Sequence, residues 1–351
     1  MSTANIVSFR LGGPDGVSVE AAKWATALTR LGWQVRTVAG AGVADTLVDG
    51  LGLAEEDQGG PDRDELGAAL QGADLVIVEN VCSLPLNRAA AACVADVLRG
   101  RPAVLHHHDL PWQRERFATT DYEIPDDPAW RHVTINDLSS DELAALGIKA
   151  TTIRNAFDVD APAGDREGTR SSLGIAPDER LVMQPTRAIA RKNIPAAVAL
   201  AEAVDATYWL LGPAEEGYDE QLDGILAGAR QRGMRAIHGV RDTPAATDVA
   251  QAYAAADLVA FPSTWEGFGN PVIESAIHRR PLAIGDYPVL RELATFGLRW
   301  LDASDHESVR RWFAHPDARL LEENRRVAEQ WFSLDALGAA LAELLADLDR
   351  P

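Results

Sequence analysis

The stretch that most constrains the fold of this chain is residues 256–293. It begins with an apolar run at residues 258–261, which is short enough for a buried strand. A loop with two glycines follows, and then Asn270 is a good helix N-cap with Pro271 well suited to the first helical position. We expect this helix to end before Pro281, where a second apolar run begins. The pattern strand, loop, helix, strand predicts a parallel α/β unit.

Two carboxylates lie within this unit. Glu266 is in the loop beyond the carboxyl end of the strand, and Glu274 is in the first turn of the predicted helix. Open α/β sheets bind ligands at the carboxyl ends of their strands, so both side chains can face one crevice. Gly267 and Gly269 permit backbone conformations closed to other residues, and the helix N-terminus favours an anion there. The alternative is that Glu274 only complements the helix dipole and Glu266 is a solvated loop acid.

The rest of the chain consists of two series of short apolar runs alternating with helical patterns. The first series covers residues 5–153, and the second begins at residue 181 and ends in the stretch described above. Between them, residues 159–169 are rich in Pro, Gly, Asp and Glu, which predicts a linker. Helices are expected at 324–331 and 334–348. A chain of 351 residues exceeds one typical core, and the two series predict two Rossmann-like domains facing across a cleft.

Charge and composition exclude several classes of protein. The formal net charge of −20 argues against non-specific nucleic-acid binding and against docking on an anionic membrane. We find no apolar stretch of membrane-spanning length and no signal peptide at the N-terminus, so we expect a cytoplasmic protein. Cys82 and Cys93 lie in apolar surroundings and are expected to be reduced core residues. The sequence does not determine the oligomeric state.

Three consecutive histidines, His106, His107 and His108, follow the strand expected at residues 103–105. Imidazole is a common metal ligand. Adjacent residues on a strand point to opposite faces, however, so the three side chains cannot easily converge on one ion. We therefore predict no metal site and expect a polar site histidine, with Asp109 helping to orient it or its loop.

A local basic cluster is present in this acidic chain. Arg187, Arg191 and Lys192 follow the strand expected at residues 181–184. They therefore lie at the sheet edge from which Glu266 and Glu274 also emerge. The alternative is a solvated loop with surface salt bridges.

These residues together resemble the donor site of retaining glycosyltransferases of family GT4, which have the GT-B fold. The segment 266–274, EGFGNPVIE, is similar to the E-x7-E motif of that family. Arg187 and Lys192 fall where the family has an Arg…Lys pair after the first strand of its second domain. The chain departs from the family pattern at residues 278–280, His-Arg-Arg, where a small residue and a glycine are usual.

Weaker likenesses extend the resemblance over nearly the whole chain. Residues 155–158, NAFD, are similar to the family's N-G-x-D junction motif, and residues 12–18 are similar to its acceptor-side glycine loop. His108 with Asp109 resembles the histidine of the first domain's site, although the repeat leaves the assignment open between His107 and His108.

The resemblance implies a specific reaction and organisation. The expected activity is metal-independent, retaining transfer of a hexosyl group from a nucleotide-diphosphate sugar to an acceptor hydroxyl, with no cofactor besides this donor. Residues 1–158 would form the acceptor-side domain and residues 170–332 the donor-binding domain. A helix in residues 333–351 would cross back onto the first domain.

The resemblance also implies roles for individual residues. Arg187 and Lys192 would hold the leaving diphosphate, Glu266 and His108 would contact the transferred sugar, and Glu274 would bind the ribose. The catalytic set is thus Glu266, Arg187, Lys192 and His108. The further donor-binding residues are Glu274, Phe268, Gly269, Asn270, Gly212 and Gly239. The acceptor-side residues are Gly13, Gly16, Ser18 and His107. No metal ligand is among them.

Other classes fit part of the sequence. An inverting GT-B transferase or a sugar-nucleotide epimerase is the nearest alternative, although E-x7-E favours the retaining branch. A two-domain sugar-binding protein would share the cleft, but it does not need a diphosphate-binding Arg/Lys pair and is normally exported. A dinucleotide-dependent oxidoreductase needs a G-x-G-x-x-G turn, and residues 12–16 do not supply that spacing.

Overall fold

The computed structural model describes residues 1–13, 15–53, 59–239 and 249–348 of the chain. The chain divides into two units. Met1–Ala156 and Ser333–Pro351 form unit 1, and Phe157–Phe332 form unit 2. Strands and helices are numbered here in chain order.

Unit 1 is built on a parallel sheet. In its described residues, seven strands pair in the order β3-β2-β1-β4-β5-β6-β7. The strands are β1 (Thr3–Ser8), β2 (Gln34–Ala39), β3 (Thr46–Leu47), β4 (Leu75–Glu79), β5 (Ala103–His107), β6 (Trp130–Thr134) and β7 (Ala150–Thr152). The helices are α1 (Gly16–Arg30), α2 (Arg63–Ala69), α3 (Arg88–Leu98), α4 (Asp137–Ala145) and α13 (Leu334–Leu348). Alternate residues of the central strands enter two separate apolar clusters, so the sheet is covered on both faces.

The last helix completes one of these two cores. Leu337, Leu341 and Leu344 of α13 share an apolar cluster with Trp24 and Leu28 of α1. These leucines recur at spacings of four and three residues, so they form one stripe along the helix. The helix predicted for residues 334–348 is therefore present with the same bounds.

Unit 2 is a second parallel sheet. Six strands pair in its described residues, in the order β10-β9-β8-β11-β12-β13. They are β8 (Leu181–Gln184), β9 (Thr207–Leu210), β10 (Ala236–His238), β11 (Leu258–Phe261), β12 (Leu282–Ile284) and β13 (Leu301–Asp302). The helices are α5 (Arg166–Ser172), α6 (Ile194–Ala203), α7 (Asp219–Gln231), α8 (Val249–Ala255), α9 (Asn270–Ile277), α10 (Leu290–Thr295), α11 (His306–Ala314) and α12 (Ala318–Trp331). The predicted α/β class with two parallel series is thus confirmed.

The start of α9 differs from the prediction. Asn270 is the first helical residue, and the N-cap is Gly269 at φ 98°. This left-handed conformation suits glycine, and an added Cβ would also clash with the hydroxyl of Tyr287. Because Asn270 is the first residue, Glu274 lies in the second turn of α9, not in the first.

The predicted linker is partly helical. Asp165 caps α5, its side chain accepting a hydrogen bond from the backbone N–H of Gly168 at 3.0 Å. Arg166 then donates to the carbonyl of Ala254 at 3.0 Å and pairs with Asp257 just before β11. These contacts hold the second half of the predicted linker onto unit 2. The helix expected at residues 324–331 is present, but it begins earlier than predicted, at Ala318. Helix α11 was not predicted.

Among the described residues, the helices are all too short or too polar to cross a lipid bilayer.

Candidate active site

The predicted donor residues in unit 2 lie at the carboxyl ends of two neighbouring strands, β8 and β11. After β8, the chain forms a short 3-10 turn, Ala190–Lys192. The side-chain amide of Gln184 donates to the Lys192 carbonyl at 2.8 Å, which fixes this turn against the strand. After β11, the backbone N–H of Thr264 donates to the Arg191 carbonyl at 2.9 Å. A backbone hydrogen bond therefore joins the loop after β8 to the loop after β11.

Glu266 lies between two cations. Lys192 Nζ donates to Glu266 Oε1 at 2.5 Å, and a guanidinium N–H of Arg191 donates to Glu266 Oε2 at 3.0 Å. Arg191 also donates to the carbonyl of Trp265 at 2.9 Å. Glu266 and Lys192 are 7% and 8% exposed, so this is a buried, hydrogen-bonded ion cluster. Sequence reasoning placed Arg191 in the basic cluster but not in the site, and its position next to Lys192 was the available signal.

Burial and charge act against each other in this cluster. Burial lowers the pKa of Lys192 to about 8, with Glu266 opposing the shift and Arg191 and Arg187 adding to it. Burial also opposes ionisation of Glu266, but the charges of Lys192 and Arg191 and the hydrogen bond from Lys192 outweigh it, so its pKa is lowered. The group combines two cations with one carboxylate. It therefore carries a net positive charge at neutral pH, which suits an anionic ligand.

Arg187 pairs with an acidic residue of the loop after β9, and its predicted role toward the diphosphate stays a prediction. Its guanidinium pairs with Glu215 at 2.5 Å, and both side chains are close to half exposed. Such a surface pair contributes little to stability and exchanges partners at low cost. The charge of Arg187 nevertheless acts on Lys192, so the two predicted residues share one electrostatic environment.

The loop between β11 and α9 is held by aromatic packing. Phe268 is 3% exposed, and its ring lies 6.4 Å from that of Phe157 and 6.0 Å from that of Phe332. Tyr287 donates a hydrogen bond from its hydroxyl to the Phe268 carbonyl at 3.4 Å. Phe268 therefore has a packing role, while the backbone at Gly269 sets the start of α9.

Glu274 is held by the neighbouring helix α8. The hydroxyl of Tyr253 donates to Glu274 Oε2 at 2.7 Å. Burial together with the Glu274 charge raises the pKa of Tyr253 well above its usual value. The ribose role predicted for Glu274 stays a prediction.

The two predicted donor-side glycines follow β9 and β10. Gly212 donates from its backbone N–H to the Thr186 carbonyl at 3.0 Å, and a Cβ there would lie 2.7 Å from Arg187. Its lack of a side chain thus lets the loop after β9 approach the loop after β8. Gly239 has φ 76° and donates to the Leu210 carbonyl at 2.8 Å. The next residues, 240–248, lie outside the described chain.

The predicted acceptor-side loop of unit 1 precedes α1. Asp15 caps this helix, accepting from the backbone N–H of Ser18 at 3.2 Å and from its hydroxyl at 2.8 Å. Ser18 is 4% exposed, so its hydroxyl serves the cap. At Gly16 an added Cβ would meet nothing within 4 Å, and at Gly13 it would lie 3.1 Å from Asp15. The acceptor role of this loop is not tested by these contacts.

The three histidines divide between the two faces of the first sheet. His106 and His108 lie on one side, where Glu79 Oε2 accepts from His106 Nδ1 at 2.9 Å and from His108 Nε2 at 2.8 Å. His107 lies on the other side, with its Nδ1 2.7 Å from Ser83 Oγ and its Nε2 2.9 Å from His132 Nδ1. As predicted, all three do not converge.

Glu79 was missed by sequence reasoning. It is the last residue of β4, and the register of β4 against β5 pairs it with His106. Burial disfavours its charged form, but the charges and hydrogen bonds of His106 and His108 outweigh burial and lower its pKa to about 2. Asp109, expected to orient the histidine or its loop, bonds Arg114 at 2.6 Å and so contacts the following loop.

Comparison with known proteins agrees with this arrangement. Residues 189–307, which include Lys192 and Glu266, match the family model described as glycosyl transferases group 1. Together with the relatives and solved structures described next, this match supports a GT4-like glycosyltransferase. Mannosylglucosylglycerate synthase from Thermotoga maritima is 24% identical over 91% of this chain and 88% of its own length. D-inositol 3-phosphate glycosyltransferase from Mycobacterium tuberculosis is 32% identical over 47% of this chain and 36% of its own length.

Solved structures confirm the predicted GT-B class of two Rossmann-like domains. HepE from Anabaena, in complex with UDP and glucose, has a TM-score of 0.76 at 16% identity and covers 98% of this chain and 99% of its own. Sucrose-phosphate synthase from Thermosynechococcus elongatus also has a TM-score of 0.76, at 14% identity, with 99% of both chains covered. At these identities the likeness concerns the fold of this chain and not its substrates.

Proposed function

We propose that this GT4-like chain is a retaining glycosyltransferase that moves a hexosyl group from a nucleotide-diphosphate sugar to an acceptor hydroxyl. We further propose that the diphosphate is bound without a metal ion. The observation that carries the proposal is the buried cluster in which Glu266 holds Lys192 and Arg191 at the carboxyl ends of β8 and β11. The matched family model is described as glycosyl transferases group 1, and one relative named above is a D-inositol 3-phosphate glycosyltransferase, which supports the same reaction class.

The chemistry of the donor explains why such a cluster is useful. As the bond between the sugar C1 and the phosphate oxygen breaks, negative charge grows on the leaving diphosphate. Lys192 offers a point charge, and Arg191 and Arg187 offer planar N–H forks that match phosphate oxygens. Backbone N–H groups at the start of α9 add positive potential. Because Glu266 fixes Lys192 and Arg191 in advance, little reorganisation is needed as this charge develops.

The same contacts favour retention without a covalent intermediate. Both oxygens of Glu266 already accept hydrogen bonds from cations, so Glu266 is poorly placed to attack the sugar. In the proposed step, the acceptor oxygen bonds to C1 on the face from which the phosphate leaves. The acceptor proton passes to the leaving phosphate oxygen, which balances the step. Glu274 as the ribose ligand, His108 as a sugar contact and the glycine loop as the acceptor site stay predictions.

A nucleotide panel tests the donor site directly. UDP, GDP, ADP and TDP are added to the protein with and without EDTA, and unfolding is followed by heat, with the nucleoside monophosphates as matched controls. At about 100 times its Kd, the correct diphosphate should raise Tm by roughly 5–10 °C in both buffers. Stabilisation by none of the four would refute the transferase proposal, and stabilisation only without EDTA would refute metal independence.

Turnover tests the cluster and the stereochemistry. Lys192→Ala should lose most of the transfer activity while remaining folded, because the leaving diphosphate loses a cation. Arg291→Ala removes an exposed cation of the same unit, 82% accessible at its side chain, and should keep normal activity. Near-normal turnover of Lys192→Ala would remove this lysine from the mechanism. A product with inverted anomeric configuration, read by NMR, would instead support the inverting alternative.

A further inference from the structure

We propose that Glu79, His106 and His108 form a binding site for a divalent transition-metal ion of the zinc type. The three side chains converge at the carboxyl ends of β4 and β5 in unit 1. One ligand atom from each lies within 4.8 Å of the others. This site is in a different unit from the proposed diphosphate site, and it does not depend on the transferase proposal.

The placement follows from the strand geometry. Residues 106 and 108 are two apart, so their side chains lie on the same side of the chain, whereas His107 points to the opposite side. Glu79 is the register partner of His106 on the adjacent strand β4. Three adjacent histidines cannot easily converge on one ion, but two alternate histidines and a carboxylate from the neighbouring strand can.

The hydrogen bonds of the cluster indicate a point of convergence. Both histidines are bonded to the same carboxylate oxygen, Glu79 Oε2, at 2.8 and 2.9 Å. In the described part of the chain, the other carboxylate oxygen, Oε1, and His106 Nε2 are buried without a hydrogen-bond partner. A cluster built only for hydrogen bonding would gain by using both carboxylate oxygens. Two imidazole nitrogens and one carboxylate oxygen this close together are instead what a small cation requires of its ligands.

The distances between the three ligand atoms can be compared with those of a zinc site. In a tetrahedral zinc site with bonds of about 2.0–2.1 Å, neighbouring ligand atoms lie about 3.3 Å apart. The nitrogens of His106 and His108 would therefore move away from Glu79 Oε2 by about 0.5 Å, and the two nitrogens, which lie within 4.8 Å of each other, would approach to about 3.3 Å. Two imidazoles and one carboxylate are a known zinc ligand set that keeps a further position open. The nitrogen ligands disfavour Mg²⁺ and Ca²⁺, which prefer oxygen.

The surroundings hold the ligands in place. Trp24 stacks on the His106 ring at 4.3 Å. The side-chain oxygen of Asn80, a residue at φ 62°, accepts a hydrogen bond from the backbone N–H of His108 at 3.1 Å. The backbone N–H of Asn80 donates to the His106 carbonyl at 2.9 Å. Glu79 and His106 are at most 1% exposed and His108 is 7% exposed, so an ion would enter past His108. A bound ion would use His108 Nε2, so that atom could not contact a sugar at the same time.

Direct metal binding tests the site. Untagged protein is stripped with EDTA and desalted, and Zn²⁺ is titrated by calorimetry, with Mg²⁺ as the comparison ion. Zn²⁺ should bind at one per chain with micromolar or tighter affinity, and Mg²⁺ should not bind. Co²⁺ should give the visible ligand-field absorption of a four- or five-coordinate ion, a readout on the unmutated chain. Absence of stoichiometric Zn²⁺ binding, or a six-coordinate Co²⁺ spectrum, would overturn the proposal.

Variants locate the ion. Glu79→Gln and His108→Gln should each weaken Zn²⁺ binding at least tenfold, with retained circular dichroism showing that they fold. His107→Gln is the matched control on the same strand, and His315→Gln is a second control on the exposed surface; both should bind normally. Unchanged affinity in the two ligand variants would overturn the assignment. The nucleotide experiment measures the change in Tm caused by a ligand of unit 2, whereas the present experiment measures Zn²⁺ affinity at unit 1. A negative result in one experiment therefore does not decide the other.

Discussion

Nucleotide-diphosphate binding should weaken as the pH rises through about 8, and Lys192 should be the cause. Burial gives this lysine a pKa of about 8, against an ordinary value of 10.5. The charged groups that face it are Glu266, Arg191 and Arg187. If only the protonated lysine binds the diphosphate, the apparent affinity falls with the protonated fraction. That fraction is about 90% at pH 7 and about 3% at pH 9.5, so Kd should rise roughly 30-fold.

The assay is isothermal titration of one nucleoside diphosphate between pH 7 and 9.5, on the wild-type chain and on Lys192→Arg. Arginine stays charged throughout this range, so the variant should lack the Lys192 component of the pH profile. The ratio of the two affinities cancels the titration of the base and of the phosphate, which both proteins share. A ratio that stays constant within twofold across the range would refute the reasoning.

Unfolding at high pH cannot imitate this result, because the same lysine acts on stability with the opposite sign. Between pH 8 and 10.5 the unfolded chain keeps a proton on Lys192 that the folded chain has released. The unfolded state then binds more protons, so this group makes the unfolding free energy increase with pH. If the affinity for the nucleoside diphosphate falls as the pH rises while the contribution of Lys192 to the unfolding free energy stays constant or increases, Lys192 is the cause.

Two predictions concern the stability of unit 2. Gly269→Ala should reduce the unfolding free energy, measured by urea titration, by about 2–4 kcal/mol. Alanine is strained in the left-handed conformation of residue 269, and its Cβ would clash with the Tyr287 hydroxyl. A loss of less than about 0.5 kcal/mol would contradict this prediction. Asp257→Asn should cost about 2–4 kcal/mol, because the buried Arg170 loses a carboxylate 3.2 Å away. The exposed Asp286→Asn should change stability by less than about 0.5 kcal/mol, and an equal effect of both substitutions would show that burial is irrelevant.

Much of the fold could be predicted from local patterns. The period of the apolar residues separates strands from helices, which is why β8, β11 and α13 were predicted with their observed bounds. The start of α9 could not be predicted in this way, because Asn270 is itself a good cap by local criteria. The choice of Gly269 depends on Tyr287, which comes from the loop after β12.

The candidate site shows the same division between local and long-range information. Lys192 and Glu266 were predicted from residue type and position relative to strand ends, and the structure brings them into contact. The contact of Arg191 with Trp265 depends on the hydrogen bonds between two loops 74 residues apart. Glu79 could not be paired with His106 because that requires the register of β4 against β5, which local patterns leave undetermined.

The packing of α13 on α1 has a consequence for the order in which the protein is made. Unit 2 is one continuous segment of 176 residues, and it is translated between the two parts of unit 1. At roughly 5–20 residues per second, its synthesis takes about 10–35 s. During that interval the apolar surface around Trp24 and Leu28 lacks the leucines of α13 that later cover it. The N-terminal part of unit 1 therefore belongs to a core that is completed only after unit 2 has been made, and a chain that stops before Ser333 leaves that surface permanently uncovered.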